Sequence, residues 1–496
     1  MCLGTGYNIS MSKKIFGVLL LWLIVVGLYH IYKPLPDALN YVGAVEHVAA
    51  SDVHFFHDTT YVDEDGARSF EQEIFDEIFR MIEASDQYVL VDMFLFNDML
   101  GAATTSHRSI SQELTDALVA KKQTSPSAVI QVITDPINTI YGGVSSNQID
   151  DLEAAGVSVI FTDLTKLRDS NAIYSATWRT FGQWWGNSTR PGYLPNPFAS
   201  QGQKLGVRTY LRLLNFKANH RKVVVTDYSQ NGEVSFSTLV TSANPHDGSS
   251  AHSNVAVRVD NALWRDVLQT ESAVAKMSGT SLVIPAEMTE TATSEAREKV
   301  LSVQLLTEKA IKQRILSDIN AMQEGDSLDI AMFYLSDREI IKAVRLADER
   351  GATLRLLLDP NKDAFGREKG GMPNRQVAHE LMRQSSGNTT IRWCYTTGEQ
   401  CHSKSLLFSS GANTTLIQGS ANLTRRNIDG FNLETNIVIT GDKASGVFVE
   451  AQQFFDQQWN NDEDRLSSVP YSEYEDTSRL KTLRYRFMEW TGLSSW

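Results

Sequence analysis

One short pattern occurs twice in this chain, and the duplication limits the fold more than any other feature. His220-x-Lys222 opens the apolar run Val223-Val224-Val225, and His402-x-Lys404 opens Leu406-Leu407-Phe408. Each is followed by a Ser-Ala-Asn tripeptide, Ser242-Ala243-Asn244 and Ser420-Ala421-Asn422. A single His-x-Lys carries little information. Two copies with the same downstream partner imply two half-sites facing one another across a cleft. Residues two apart on a strand point the same way, so His220 projects with Lys222, and His402 with Lys404.

The surrounding chain repeats in step. In the first half, apolar spacing predicts a helix over Phe70–Ala84, followed by the strand Tyr88–Leu95. A helix near Ser111–Ala120 follows, then the strand Val129–Ile133, which ends in Asp135-Pro136. In the second half, a helix near Leu306–Met322 leads to the strand Leu328–Leu335. A helix over Arg338–Arg350 leads to Leu354–Leu358 and Asp359-Pro360. Helices alternating with apolar strands indicate an α/β architecture with helices covering a sheet. At 496 residues, two cores are expected rather than one. The expected partition is a tail over 1–14, an anchor over 15–32, a first half over 45–278, a linker over 279–298, a second half over 299–460 and a C-terminal tail over 461–496.

The N-terminal segment carries a membrane signal. Lys13 and Lys14 precede an uncharged run from Ile15 that extends to Tyr32, and Pro34 and Pro36 end it. The run is apolar all round, unlike an amphipathic core helix, and is about long enough to span a bilayer. A cleaved signal peptide is the rival reading, but no Ala-x-Ala-like site lies close behind. An uncleaved single-pass anchor is expected, with its N-terminus cytoplasmic and the body on the outer side. A net charge of −13 argues against a general nucleic-acid binder.

The two halves are unequal. The stretch between Asp135 and His220 is longer than its counterpart and holds Trp178, Phe181, Trp184, Trp185, Tyr193 and Phe198 among prolines and glycines. This reads as an irregular aromatic loop near the mouth of the site, either touching lipid or packed on itself. Cys394 and Cys401 flank the loop leading into His402; a disulfide and two free thiols are both open. Leu480, Leu483, Phe487 and Trp490 recur at helical spacing beside basic residues. Such a stripe either lies on a membrane or docks on its own domain. Asn187-Ser188-Thr189 is a glycosylation pattern.

Paired histidines with paired cations suit phosphoryl chemistry. Lysines neutralise nonbridging oxygens, and Ser242, Asn244, Ser420 and Asn422 add neutral donors. One imidazole attacks phosphorus and the other protonates the leaving alkoxide. No cofactor is called for, and no spacing suggests a metal.

At these residues the chain resembles the phospholipase D superfamily, whose hallmark is a duplicated His-x-Lys-x4-Asp. His220-Arg221-Lys222 with Asp227 matches in full; the second copy has Ser409 in place of the aspartate. The run Asn215–Asn219 is similar to that preceding the first motif in cardiolipin synthases. The resemblance covers roughly residues 50–460. It implies two tandem phospholipase D-like α/β/α sandwich halves related by pseudo-twofold symmetry, with His220, Lys222, Asp227, His402, Lys404 and Glu434 as the catalytic set. Glu434 fits the family's acidic residue that orients a histidine, and the first half has His252 at the corresponding place. The resemblance favours His220 as nucleophile, whereas a carboxylate-oriented imidazole in its own half favours His402; both stay open. It implies a membrane phospholipid as substrate, with water or an alcohol as acceptor and a monomeric active unit. The alternatives are an anchored nuclease and, further off, a non-catalytic phosphate-binding scaffold.

Overall fold

The computed structural model describes residues 5–103, 106–186, 192–199, 203–230, 233–285, 298, 300–364, 366–494 and 496. The glycosylation pattern at 187–189 and most of the expected linker lie outside them. The chain opens on a long helix, α1 (Thr5–Tyr32). The first half then contributes β1 (Glu46–Val48), β2 (Val53–Val62), β3 (Arg68–Gln72), α2 (Ile74–Ala84), β4 (Tyr88–Met93), α3 (Ile110–Thr124), β5 (Val129–Thr134), α4 (Asn147–Ala154) and β6 (Ser158–Phe161). The longer connection carries α5 (Ala172–Thr177), a π-turn (Trp178–Gly182) and α6 (Val207–Leu213). The half closes with β7 (Lys222–Gln230), β8 (Glu233–Thr241), β9 (Asn254–Asp260) and α7 (Trp264–Met277).

The second half runs β10 (Leu301–Thr307), α8 (Lys309–Ala321), β11 (Ser327–Met332), α9 (Arg338–Glu349) and β12 (Thr353–Leu358). A small hairpin, β13 (Asp363–Ala364) and β14 (Arg367–Glu368), precedes α10 (Asn374–Gln384) and β15 (Thr389–Cys394). Then come β16 (Lys404–Ser410), β17 (Asn413–Gly419), α11 (Arg425–Ile428), β18 (Thr435–Asp442), α12 (Gly446–Asn460), β19 (Ser468–Pro470) and α13 (Arg479–Thr491).

Two sheets result, and their orders match. The first reads β3-β2-β9-β8-β7-β4-β5-β6, and the second reads β1-β10-β18-β17-β16-β11-β12-β15-β19. Seven strands correspond one to one, from β2 with β10 to β6 with β15. In each, the strand carrying the His-x-Lys pattern is central and antiparallel to the strand before the first crossover, β7 to β4 and β16 to β11. Alternation along β7 explains the layering. Val224 packs outward with Ile78, Ile82 and Leu114 beneath α2 and α3, while Val223 and Val225 face inward. The inward core also takes Leu407, Leu416, Ile437 and Ile439 from the second sheet, so the two sheets share one apolar interior. Burial on both faces is what makes these strands read as continuous apolar runs.

Three boundaries differ from the sequence reading. Phe70 lies on β3 rather than in the helix, which starts at Ile74. Its helical spacing is coincidental, because β3 is needed to cover the edge of β2. β1, expected in the first half, pairs with β10 of the second sheet. The C-terminal segment is no free tail: β19 extends the second sheet at β15.

Candidate active site

The two His-x-Lys strands meet at the junction of the halves through a reciprocal pair of short parallel bridges, Asn219 with Leu433 and Ser253 with Cys401. The His220 N–H donates to the Leu433 carbonyl at 2.9 Å, and the His402 N–H donates to the Ser253 carbonyl at 2.8 Å. Each bridge brings the next residue of the opposite half beside a histidine. Glu434 Oε2 lies 2.9 Å from His220 Nδ1, and Asn254 Oδ1 lies 3.0 Å from His402 Nδ1. Both partners present an acceptor, so both imidazoles carry hydrogen on Nδ1 and leave Nε2 for the cleft. The Asn254 amide is oriented by donating to the His252 carbonyl at 3.0 Å.

Glu434 therefore does not orient the histidine of its own half. It crosses to His220, and Asn254 rather than His252 is its counterpart. The register fixes this equivalence. The Ser242 N–H donates to the Val255 carbonyl at 2.9 Å, and the Ser420 N–H donates to the Thr435 carbonyl at 3.0 Å. The residues preceding Val255 and Thr435 are Asn254 and Glu434.

The serines hold these orienting residues instead of reaching into the cleft. Ser242 Oγ donates to Asn254 Oδ1 at 3.1 Å and accepts from the Val255 N–H at 3.0 Å. Ser420 Oγ donates to Glu434 Oε2 and accepts from the Thr435 N–H at 3.0 Å. Both are fully buried. Asn244 and Asn422 do line the cleft. Asn422 Oδ1 has no hydrogen-bond partner among the described residues.

Asp227 is also displaced from the expected set. It sits five residues along β7 from Lys222, about 16 Å away at strand rise. Its carboxylate accepts from the N–H groups of Asp86, Gln87 and Tyr88 at 2.8–3.1 Å, pinning the turn into β4. The matching Ser409 only approaches Thr414 Oγ1 at 3.4 Å. The second half thus loses a turn clamp and no reacting group.

Lys222 and Lys404 are fully buried and placed alike. Each Nζ donates to the carbonyl of its own histidine at 2.8 Å. The rings of Phe94 and Phe333 pack on His220 and His402 at 4.8 and 5.0 Å between centroids. Burial pushes His220 down to about 4 against the raising influence of Glu434, and Lys222 down to about 7. Burial and then the neighbouring cations push His402 and Lys404 well below their ordinary values. Burial favours the neutral acid of Glu434, but the His220 and Lys222 charges and the Ser420 hydroxyl hold it below the usual carboxylate range. A phosphodiester anion between the lysines would offset their desolvation and restore their charge.

A second layer of buried groups supports these residues. The Asp-Pro carboxylates each catch the N–H of the residue before a histidine, Asp135 that of Asn219 at 2.7 Å and Asp359 that of Cys401 at 2.8 Å. Arg221, fully buried, pairs with Glu271 at 2.9 Å and with Glu308 of the other half at 2.7 Å. Cys394 and Cys401 form a disulfide, closing the loop that enters His402. The cleft holds a cavity of about 590 Å³ containing His220 and His402 and walled by Phe94, Phe198, Phe216, Phe333 and Trp496. Phe198 reaches it from the long connection, which is partly helical rather than an irregular loop. Among the described residues no group of three His, Cys, Asp or Glu side chains is placed to hold a metal.

Residues 315–459 match the family model described as cardiolipin synthase, PLD-like domain. Among solved structures, phosphatidylserine synthase of Haemophilus influenzae Rd KW20 superposes with a TM-score of 0.57 at 11% identity, over 91% of this chain and 98% of its own. Polyphosphate kinase from Porphyromonas gingivalis gives a TM-score of 0.43 at 12% identity, over 88% of this chain and 52% of its own. The phospholipase D family member Nuc from Salmonella typhimurium gives 0.26 at 20% identity, over 34% of this chain and 97% of its own. No curated protein matches the chain. The second half thus carries a domain matching the cardiolipin synthase, PLD-like family model over residues 315–459, and the first half repeats its strand order and its His-x-Lys strand.

Proposed function

We propose that the protein is a membrane-anchored phosphodiesterase or phosphatidyltransferase acting on phospholipids through a phosphohistidine. The observation that carries this reading is the crossed pairing of the two histidines, one with a carboxylate and one with a neutral amide, in a single cleft, with a buried lysine bonded to the carbonyl of each. Lys222 and Lys404, with the amides of Asn244 and Asn422, bind the nonbridging oxygens. His220 Nε2 attacks phosphorus; the P–N bond forms as the P–O bond to the leaving group breaks. The bound phosphodiester anion favours protonation of His402 on entry of substrate, and this imidazolium gives its Nε2 proton to the departing alkoxide. Neutral His402 then takes a proton from water or an alcohol, whose oxygen attacks phosphorus while the P–N electron pair returns to His220.

The partners argue for this division of labour. Phosphorylation at Nε2 makes the His220 ring cationic, and the Glu434 carboxylate stabilises that charge. His402 lacks a counter-charge, so its imidazolium gives up its proton readily. The apolar walls of the cleft suit acyl chains better than nucleotides. α1 is a candidate anchor: Met11–Tyr32 is long and apolar enough to cross a bilayer, and its uncharged run begins at Ile15. Lys13 and Lys14 before it, and a disulfide beside His402, both fit a body on the outer, oxidising side.

The test is to incubate the anchored chain with labelled phosphatidylglycerol, with and without glycerol, and in parallel with single-stranded DNA. Free headgroup supports hydrolysis, and a lipid product that depends on added alcohol supports transfer. Degradation of DNA alone would sink the lipid reading and leave the nuclease. Turnover surviving in both His220→Ala and His402→Ala would refute the site.

A further inference from the structure

The apolar stripe of α13 does not dock on its own domain. Leu480 and Trp490 are each 77% exposed, and Leu483 and Phe487 beside them are exposed too. Spaced at three and four residues, they occupy one side of the helix. The opposite side holds α13 in place. Tyr485 is fully buried, Arg486 pairs with Glu380 at 2.9 Å, and Glu489 accepts from Ser336 Oγ at 2.8 Å. The exposed Arg479 and Arg484 flank the stripe on its two borders.

A second apolar surface lies at the other end of the same contact. α1 lays Leu23, Val26, Gly27, His30 and Ile31 against α5, where Gly27 meets Ala172 and Ala176; the rest of its apolar length is exposed. Gly27 is five residues from the end of α1, about 7 Å in from it at helical rise. On the outward side of α5 and just beyond the π-turn, Ile173, Trp184 and Trp185 are exposed, Trp185 by 75%.

One segment joins these parts. The Asp169 N–H donates to the His30 carbonyl at 3.0 Å, and Arg168 Nε donates to the Lys33 carbonyl at 2.8 Å. The next residue, Ser170, packs so closely on Gly492, at the end of α13, that a side chain there would collide with its carbonyl. Arg425 bonds the Ser170 carbonyl at 3.4 Å, and Arg426, which lines the cleft, bonds the Gly492 carbonyl at 3.3 Å. The ends of α1 and α13 and the start of α5 therefore converge beside the cleft.

We infer that α5 with its π-turn and the exposed face of α13 form a non-spanning seat in the headgroup layer of an anionic phospholipid bilayer, holding the cleft at lipid level around the exit of α1. The occupant is lipid because the end of α13 is joined through Ser170 and Asp169 to the end of a candidate spanning helix. Tryptophans and flanking arginines, apolar on one side and cationic at the borders, match the boundary between acyl chains and anionic headgroups. This rests on α1 as an anchor. It adds a fixed orientation of the body, which an anchor on a loose tether would not have.

The test uses the full chain in a Cys2→Ser background, with single cysteines at L483C, W490C and W185C and a control at V449C, an exposed position on α12. Each carries an environment-sensitive fluorophore in vesicles of phosphatidylglycerol and phosphatidylcholine. The first three should shift to the blue and be quenched by lipids spin-labelled near the headgroup, while the control stays quenched only by aqueous iodide. Labels at 483 and 490 behaving like the control would overturn the proposal. Protection from iodide without lipid quenching would overturn it in favour of a protein partner. In L483E/F487E/W490E, apparent KM on vesicles should rise roughly tenfold, with turnover of a soluble phosphodiester unchanged. Depth is read without turnover, so a dead enzyme would leave the seat testable, and an unchanged vesicle KM would count against it.

Discussion

The pairing of Glu434 with His220 predicts a specific kinetic defect in Glu434→Gln. Glutamine preserves the volume and an acceptor for Nδ1–H; its amide then faces Asn427, whose Nδ2 donates to the other carboxylate oxygen, so the Asn427 amide must turn over to accept. The variant therefore keeps its fold and loses one buried negative charge 2.9 Å from the attacking ring. A hydrogen bond to a charged group contributes about 1.5–3 kcal/mol, against about 1 for a neutral pair. The cationic adduct forms only as phosphorus is attacked, so the loss falls on the transition state. At 1.4 kcal/mol per tenfold, this difference of about 0.5–2 kcal/mol should slow the first step by roughly two- to thirtyfold, with KM within about twofold. The assay is rapid quench with a radiolabelled phosphodiester, counting acid-labile phosphate on the protein in the first turnover. A burst rate within twofold of the parent would refute the assignment of the carboxylate to nucleophilic catalysis. An adduct mapped to His402 would refute the order of events outright.

The remaining predictions read other parts of the same arrangement. In His402→Asn the adduct should accumulate from a substrate whose leaving group needs no proton, such as a nitrophenyl ester, because no base remains to activate water; free turnover there would refute the general acid–base role. Asp227→Ala strands three backbone N–H groups and should lower stability by about 2–4 kcal/mol in denaturant melts, with kcat of the folded fraction unchanged. Removing the disulfide by Cys394→Ser with Cys401→Ser frees a loop with a sequence separation of 7; it should cost about 2 kcal/mol and lower kcat by loosening the approach to His402. Burial holds His220 and His246 at about 4 and depresses His402 too. Between pH 6.5 and about 4 the unfolded chain binds more protons than the folded one, so stability falls as pH falls through that window. The melting temperature should drop from pH 7 to pH 5, and less so with a phosphate analogue bound.

Much of this was legible in the sequence because repetition is a local signal. Each strand with its His-x-Lys start, each Asp-Pro turn and each Ser-Ala-Asn triplet could be matched without knowing how the halves dock. What depended on docking was not legible. Matching by repeat assigns Glu434 to its own His402, whereas the bridge of Asn219 with Leu433 delivers it to His220. Asn254 lies two residues after His252, a more conspicuous residue, and is reached only by counting from Ser242 to its strand partner Val255. The serines read as phosphate donors until their burial showed what they hold. Arg221 sat in view between His220 and Lys222, but its partners lie far off in the chain. The α13 stripe shows the limit of periodicity, which locates an apolar face and does not say whether protein or lipid covers it.

The crossed orientation of the histidines also governs when the protein becomes reactive. During synthesis His220 emerges long before Glu434, and His402 arrives after Asn254 has already folded into a sheet without it. Until the halves close on their shared interior, neither imidazole has its acceptor and the lysines do not converge. On the proposed function, a nascent, truncated or half-unfolded chain is therefore chemically silent, and proteolysis that separates the halves abolishes turnover at a stroke. Assembly of the two halves is thus what switches the site on.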